Sequence, residues 1–347
     1  MQLAEFTQQL RTLGAKELHV ERLFRNWLIG LPLLAGTKRQ RSEDFFPLEM
    51  RQAASALENF LHELATVSAD HPAQDGSSRL LVTLRDQQMI ESVLLPREGL
   101  CISSQVGCAV GCVFCMTGKS GLIRQVSSLE MLAQVALARR RRRVKKVVFM
   151  GMGEPAHNLE NVLETIDILG RLGEIGHKNL VFSSVGDMRV FERLPQMTVR
   201  PALALSLHTT DAQLREQLLP KAPKITPREL IDLGEDYART GAYPIQYQWT
   251  LLRGINDTFE EMERVVELLQ GKYAVLNLIP YNSLEGDEYA RPDFEHTRAL
   301  VRFLMRNKIL TKVRNSAGQD IDGGCGQLRA RAAHLKPNKA GKIIARH

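Results

Sequence analysis

Three cysteines in the segment SQVGCAVGCVFCMTGKSG, residues 104–121, carry the most specific chemical signal in this sequence. Cys108, Cys112 and Cys115 give the spacing CxxxCxxC in a glycine-containing loop. Thiolates are soft ligands that suit iron–sulfur clusters and zinc. Three thiolates would bind three irons of a cubane and leave the fourth iron free to coordinate a small molecule and pass it an electron. A structural zinc site of three cysteines and one histidine is the alternative at this point.

Two further cysteines lie outside this spacing. Cys101 precedes Cys108 by seven residues, and Cys325 stands among three glycines in DIDGGCG, residues 320–326. Five cysteines in 347 residues are too few for a secreted disulfide scaffold, so the clustered thiols indicate a metal or redox site. Taken alone, Cys101 is typical of a buried strand residue and Cys325 of an accessible thiol.

Short apolar runs alternate with helical patterns from Leu100 onward. This alternation predicts parallel βα units in an open sheet or a barrel, and six units are fewer than the eight of a closed barrel. The runs are 144–150, 180–184, 202–208, 244–252, 274–280 and 309–314.

The motif GMGEP, residues 151–155, follows directly on the first of these runs, where a parallel strand would end. The carboxyl ends of parallel strands are where α/β folds build their sites. Gly151 and Gly153 would let the backbone approach a ligand closely. Glu154 can accept hydrogen bonds from an ammonium group.

The N-terminal part has a different pattern. Leu57, Phe60, Leu61 and Leu64 repeat at the spacing of one helical face. The polar stretch 68–78 predicts a linker, and the runs 79–84 and 89–95 predict a hairpin. We therefore expect a helical domain over residues 1–75, a β-hairpin extension over 76–99, a βα core over 100–327 and a basic tail over 328–347.

Positive charge is concentrated in two segments, although the whole chain carries only +7. Residues 139–146 hold seven basic residues and residues 328–347 hold six, with no acid in either, so the rest has 33 basic against 39 acidic residues. Such patches bind phosphates without reading sequence. The alternative for the first segment is a solvated, favourably charged helix C-terminus.

The apolar runs are too short to span a membrane. The longest, residues 28–36, also contains Pro32. The first residues are interrupted by charges and do not form a cleavable signal. We expect a cytoplasmic protein without a membrane partner.

Six segments in the same order resemble the RlmN/Cfr family of radical S-adenosylmethionine (SAM) methyltransferases, which act on adenine carbons in RNA. The resemblance runs from about Glu91 to Leu328. The segments are LCISSQVGCAVGCVFCMTGKSG, VVFMGMGEPAHNLENV, LALSLH, LLRGINDT, NLIPYN and DIDGGCGQL.

This resemblance implies an α/β fold, a partial (βα)6 radical-SAM barrel with an N-terminal small helical domain and a short β extension. It implies a 4Fe-4S cluster held by Cys108, Cys112 and Cys115, whose open iron binds the methionyl group of SAM. It assigns SAM binding to the residues that match the family positions: Gly153, Glu154, Ser183, Ser206, Leu207, His208 and Asn282. Outside the motif, His208 would be more typical of a hydrogen-bonded core histidine.

The resemblance also implies a covalent relay. One SAM methylates Cys325, a second SAM yields the radical that activates this S-methyl group, and the resulting carbon radical adds to adenine. Cys101 then releases the product by forming a disulfide, and Glu91 takes the proton from the modified carbon, with Glu98 as its rival. Carbon 2 of adenine is favoured over carbon 8.

The implied partners are rRNA and/or tRNA and an electron donor of the reductase or flavodoxin type, and we expect a monomer. Whether the chain is the housekeeping ribosomal enzyme or a divergent paralogue stays open. One alternative function is a non-catalytic RNA-binding protein stabilised by a metal or cluster. Another is a radical SAM enzyme with a different acceptor.

Overall fold

A computed structural model describes residues 1–119, 121–241, 243–282 and 288–328, apart from the side chain of Asp320. Its strands are β1 (Ala65–Pro72), β2 (Ser78–Leu84), β3 (Met89–Leu95), β4 (Gly99–Cys101), β5 (Gln105–Gly107), β6 (Leu122–Gln125), β7 (Lys146–Phe149), β8 (Leu180–Ser184), β9 (Ala202–Ser206), β10 (Ile245–Leu251), β11 (Ala274–Pro280) and β12 (Thr311–Val313). Ten of them form one sheet in the order β1-β2-β3-β4-β7-β8-β9-β10-β11-β12, and β5 pairs with β6.

The sheet changes from antiparallel to parallel at β4. Strands β1 to β4 pair antiparallel, and every pair from β4 to β12 is parallel. The six runs predicted as strands correspond to β7 to β12, and the predicted hairpin corresponds to β2 and β3, so these predictions are confirmed. Strand β4 is a further parallel strand, and it leads into the cysteine loop.

The helices are α1 (Leu3–Thr12), α2 (Glu17–Ile29), α3 (Ser42–Phe45), α4 (Leu48–Gln52), α5 (Ala54–Glu63), α6 (Met116–Lys119), α7 (Ser128–Arg139), α8 (Leu159–Arg171), α9 (Met188–Arg193), α10 (Ala212–Leu218), α11 (Pro227–Gly241), α12 (Phe259–Leu269) and α13 (Phe294–Arg306). Helix α7 begins with a capping box, because Glu130 N donates to Ser127 Oγ at 3.3 Å and Ser127 N donates to the Glu130 carboxylate at 2.8 Å. Across the part of the chain that the structure describes, no helix is long and apolar enough to cross a bilayer.

Residues 68–72 of the stretch predicted as a linker belong to strand β1. Its residues alternate between exposed and half-buried, because β1 is the outer strand of the sheet and one of its faces is solvated. Asp70 of β1 accepts a hydrogen bond from the hydroxyl of Ser78 in β2, which explains why such a polar segment still pairs. The sheet therefore extends into the residues that we expected to belong to the helical domain, and the domain division stays a prediction.

Most of the basic side chains in segment 139–146 bind groups of the same protein. Arg139 donates to Leu28 O at 3.0 Å, Val144 O at 3.2 Å and Gly173 O at 2.6 Å. Leu28 lies in the last turn of α2, and Gly173 follows α8, so Arg139 satisfies carbonyl groups at the ends of two helices. This joins the N-terminal helices to the parallel sheet.

Its neighbours make similar contacts. Arg140 contacts the His62 ring at 3.2 Å, and Arg141 contacts the Asp70 carboxylate at 3.4 Å. Arg142 donates to two carbonyl oxygens, of Gly76 at 2.8 Å and of Leu95 at 2.6 Å. Arg143 and Lys145 both pair with Glu98. The composition of this segment indicated contact with RNA phosphates, but six of its seven cations bind carbonyls, a histidine or carboxylates of the same chain. Lys146 is the exception within the described residues.

Candidate active site

A cavity of about 170 Å³ lies at the carboxyl ends of the parallel strands. Side chains from β7, β8, β9, β10 and β11 line it, so the sheet curves around this space. The cavity brings together most of the residues proposed from the sequence: Cys108, Cys112, Cys115, Gly153, Glu154, Ser183, Ser206, His208, Asn282 and Cys325. Glu91, Cys101 and Leu207 do not line it.

The three loop cysteines lie on one wall of this cavity. Burial raises the pKa of the Cys108 thiol to about 11. Burial, and then the charges of Cys115 and Cys108, raises the pKa of Cys112 well above its ordinary value. Cys108 and Cys112 would therefore hold their protons unless a cationic centre bound them as thiolates.

The donor set fits an iron–sulfur cluster chemically, because it offers three thiols on one wall of a ligand-sized cavity. Among the described residues, no three or more His, Cys, Asp or Glu side chains converge on one point as the ligands of a single ion would. In a cubane each cysteine binds a different iron, so convergence on one point is not required. The cluster assignment rests on the CxxxCxxC spacing and the shared cavity.

Glu154 is a buried carboxylate beside the cysteines. Its oxygens accept hydrogen bonds from Ala156 N and Val185 N, both at 3.0 Å. Burial nevertheless raises its pKa to about 7. A cationic ligand in the cavity would favour the ionised form, as expected for a group that receives an ammonium.

The backbone before Glu154 is fixed by close packing. Gly153 has a φ of +103°, and a Cβ atom there would lie 2.5 Å from Cβ of Gln105. The Gln105 side-chain oxygen in turn accepts a hydrogen bond from Glu154 N at 2.7 Å. The GMGEP motif therefore needs glycine at this position, and Gln105 holds Glu154 in place.

His208 is held in the neutral form. Its Nδ1 accepts a hydrogen bond from Thr250 N at 2.9 Å, which leaves the proton on Nε2. Burial, and then the charge of Arg215, lowers its pKa to about 3. Its ring packs edge-on against Phe114, the residue before the last cysteine of the triplet, at 4.8 Å between centroids.

Asn282 connects the cavity to the loop that carries Cys325. Its amide nitrogen donates to Cys325 O at 3.0 Å and to Ser316 Oγ at 2.8 Å. Its amide oxygen is buried and has no hydrogen-bond partner among the described residues. A buried acceptor without a donor is costly, so a ligand hydroxyl or amine in the cavity would satisfy it.

Cys325 also borders a second cavity, of about 110 Å³, behind the first. Cys101, Cys115 and Val93 line this smaller space. Burial, and then the charge of Cys325, raises the pKa of the Cys101 thiol. All five cysteines are free, so the structure does not contain the disulfide implied by the resemblance, although it places Cys101 and Cys325 on one cavity.

Glu91 lies next to this second cavity in the sheet. It is fully buried and forms an ion pair with Arg79 of β2, and the strand register pairs Arg79 with Val93 and Val93 with Cys101. The rival Glu98 is on the surface, where Lys145 pairs with it at 2.7 Å. Of the two carboxylates, Glu91 is therefore the one beside Cys101.

The sequence did not reveal three polar residues around the site. Gln105 holds Glu154, Arg79 pairs with Glu91, and Arg215 donates to Val185 O and to Ser206 O. Burial lowers the pKa of Arg215 to about 10. Arg79 and Arg215 stand outside the quoted motifs, and Gln105 lies within the first one without an assigned role. The partner of each residue is distant in sequence or on another element. Only the alternation of inward-facing and outward-facing residues along β2 could have indicated that Arg79 faces inward.

Comparisons with known proteins agree with this arrangement. Residues 102–269 match the model of the radical SAM superfamily. A probable RNA methyltransferase of Ectopseudomonas mendocina is 67% identical over 347 residues, covering 100% of both chains, and one of Pseudomonas aeruginosa is 67% identical over 332 residues, covering 96% of both.

Solved structures agree on the fold. A radical SAM methyltransferase from Sphaerobacter thermophilus matches with a TM-score of 0.83 and 31% identity, covering 95% of this chain and 98% of its own. SAM-bound SuiB from Streptococcus suis, 13% identical over 71% of this chain and 63% of its own with a TM-score of 0.51, shares the fold. The predicted fold class and the resemblance to radical SAM methyltransferases are confirmed. The chain belongs to the radical SAM methyltransferases, in one family with these bacterial relatives.

Proposed function

We propose that this protein methylates an adenine carbon, carbon 2 in preference to carbon 8, in rRNA and/or tRNA. The methyl group would pass through S-methylcysteine at Cys325, with two SAM molecules used per turnover. We infer a cytoplasmic monomer that receives electrons from a reductase or flavodoxin-type protein. The observation that carries the proposal is that one cavity contains the cysteine triplet, Glu154 and Cys325 together.

Cys108, Cys112 and Cys115 would hold the 4Fe-4S cluster, which when bound supplies the electron that cleaves SAM. Glu154 would accept hydrogen bonds from the methionyl ammonium, at the position fixed by Gly153. The free amide oxygen of Asn282 would accept a hydrogen bond from SAM. The remaining family positions, Ser183, Ser206, Leu207 and His208, would complete this pocket, Leu207 through its backbone.

Cys325 would act as the nucleophile that takes a methyl group from SAM by displacement at sulfur. The residue as a whole has an exposed surface, and it lines both cavities. The protein atoms packed around its thiol raise the pKa of that thiol, while a hydrogen bond with Ser316 and the charge of Arg314 act in the opposite direction. A covalent carrier is needed because the target carbon of adenine is electron-poor and does not attack the SAM methyl group itself.

Cys101 and Glu91 would act at product release. Glu91 would take the proton from the modified carbon as the base radical loses its unpaired electron to a one-electron acceptor. Attack of the Cys101 thiolate on the Cys325 sulfur would then form a disulfide and break the bond between that sulfur and the new carbon, which would keep the bonding electron pair and take up a proton to become the methyl group. A reductant of the thiol–disulfide class would return both cysteines to thiols. The support for this order is that Cys101 and Cys325 line the same small cavity.

The test is anaerobic reconstitution followed by mass spectrometry. We expect one 4Fe-4S cluster per chain, 5′-deoxyadenosine with SAM and reductant, and a methyl group on Cys325 before RNA is added. RNA from the complete reaction should contain a methyl group on an adenine carbon, and Cys325→Ala should abolish it. Stoichiometric zinc without 5′-deoxyadenosine would instead identify a metal-stabilised RNA-binding protein. An unmethylated RNA with a methylated Cys325 would indicate a different acceptor.

A further inference from the structure

The last strand of the sheet presents cations on the inner face of the molecule. Lys312 of β12 is paired with Asn277 of β11, and paired residues point to the same side of a sheet. Ile279, two residues after Asn277, lines the active-site cavity, so Asn277 and Lys312 face inward. Arg314, two residues after Lys312, lies on the same side, and its Nε donates to the Asn277 side-chain oxygen at 2.9 Å.

Lys146 lies in β7, near the opposite end of the parallel part of the sheet from β12. It precedes Val148 by two residues in β7, and Val148 lines the second cavity, so Lys146 also faces inward. Lys146 is half-buried, and burial followed by the charges of Arg314 and Lys312 lowers its pKa. Lys146 therefore lies within electrostatic range of Lys312 and Arg314, and all three residues are on the inner face of the sheet.

We call Lys146, Lys312 and Arg314 the edge cation cluster. Among the described residues, none of the three side chains forms an ion pair with Asp or Glu within 4.0 Å, whereas Lys145, next to Lys146, pairs with Glu98 at 2.7 Å. Like charges held together repel, and an anion placed among them would relieve the repulsion.

The cluster is also close to the reacting cysteine. Arg314 is near enough to Cys325 for its charge to act on the thiol. A nucleic acid that presents a base to Cys325 brings its own phosphates within a few ångströms of that base. Lys312 and Arg314 are exposed and can reach such phosphates from solvent.

We propose that the edge cation cluster binds the phosphodiester backbone of the RNA strand that delivers its base to Cys325. This inference rests on the proposed function, because it requires RNA as the substrate. The contact reads no sequence, since every nucleotide carries the same phosphate. The contact would position the RNA strand on the protein, and the contacts of the base with the cavity would determine which base is modified.

The test is the salt dependence of RNA binding, measured with unmodified transfer RNA transcribed in vitro. The variants are Lys146→Gln, Lys312→Gln and the double variant. For each phosphate that the protein no longer neutralises, the slope of log affinity against log salt should shrink by about 0.7–0.9, and affinity at 0.1 M salt should fall about five- to eightfold. The matched control is Lys178→Gln, an exposed lysine before β8 without an acidic partner among the described residues, which should bind RNA as the unmodified protein does.

Methylation of Cys325 by SAM without RNA separates this inference from the proposed function. The variants should methylate Cys325 at the normal rate and lose only RNA affinity. Unchanged affinity and slope in the double variant would overturn the inference. Aggregation of the Lys312→Gln and double variants with normal RNA affinity would also overturn it, because Lys312 would then only protect the edge strand β12. Failure of the unmodified protein to methylate Cys325 would instead contradict the proposed function.

Discussion

Replacing Arg139 with Met tests whether the arginine run acts inside the fold. The guanidinium donates to three carbonyl oxygens, of Leu28, Val144 and Gly173. A hydrogen bond to a charged group contributes about 1.5–3 kcal/mol. Because Arg139 is only half-buried, water can replace part of this stabilisation, and the methionine keeps the apolar packing of the stem. We expect the free energy of unfolding to fall by ~3 kcal/mol in total, which is less than three full bonds would give.

The assay is urea and thermal unfolding of the variant beside Arg143→Met. For a chain of this size a decrease of ~3 kcal/mol lowers Tm by about 4 °C. Arg143 is exposed and has only a 3.7 Å ion pair with Glu98, so its replacement should change the unfolding free energy by less than about 0.5 kcal/mol. If Arg139→Met were as stable as Arg143→Met and weakened the salt dependence of RNA binding, the run would be an RNA patch and our reasoning would be wrong.

Two further substitutions test the site itself. Gly153→Ala should lower SAM binding and 5′-deoxyadenosine formation at least tenfold, because its Cβ would collide with Gln105 and displace Glu154. Gly254→Ala also has a positive φ but open space around it, so it should cost only ~1 kcal/mol of backbone strain and leave both readouts intact. His208 has its pKa lowered to about 3, so unfolding takes up a proton below pH 6.5 and the stability it provides is lost as the pH falls towards 3. The unfolding free energy of the unmodified protein relative to His208→Gln should therefore decrease by about 1 kcal/mol between pH 7 and pH 5.5, and a pH-independent difference would contradict this.

Local pattern was sufficient to predict strands β2, β3 and β7 to β12, whereas most of the cavity residues were assigned by the family resemblance. The runs that correspond to β7 to β11 are largely apolar because parallel strands inside the sheet are covered on both faces. Gly153, Ser183 and Ser206 could be placed together because the ends of neighbouring parallel strands meet at one edge. The motifs then assigned chemistry to positions that the topology brought together.

Contacts between distant segments could not be predicted in the same way. The partner of Arg139 at Leu28 is 111 residues away, and nothing in either local sequence indicates the pairing. Strand β1 was missed because a solvated outer strand has the composition of a loop. The edge cation cluster was missed because Lys146 belongs to a dense basic run, whereas Lys312 and Arg314 are two ordinary residues of a short strand.

The position of Cys325 depends on hydrogen bonds from three separate parts of the protein. Met116 N, next to the last cysteine of the triplet, donates to Gly326 O at 2.7 Å, and Asn282 donates to Cys325 O. Gly318 N donates to the Asp75 carboxylate at 3.1 Å, which ties the same loop to the turn between β1 and β2. The proposed methyl transfer to and from the Cys325 sulfur would require that sulfur to face the SAM methyl group, the base and Cys101 in turn. The loop that carries Cys325 is attached to the cysteine loop, through Asn282 to the large cavity, and to the hairpin that carries Arg79. Under the proposed mechanism these attachments would orient the sulfur and would give the antiparallel extension a role in the chemistry.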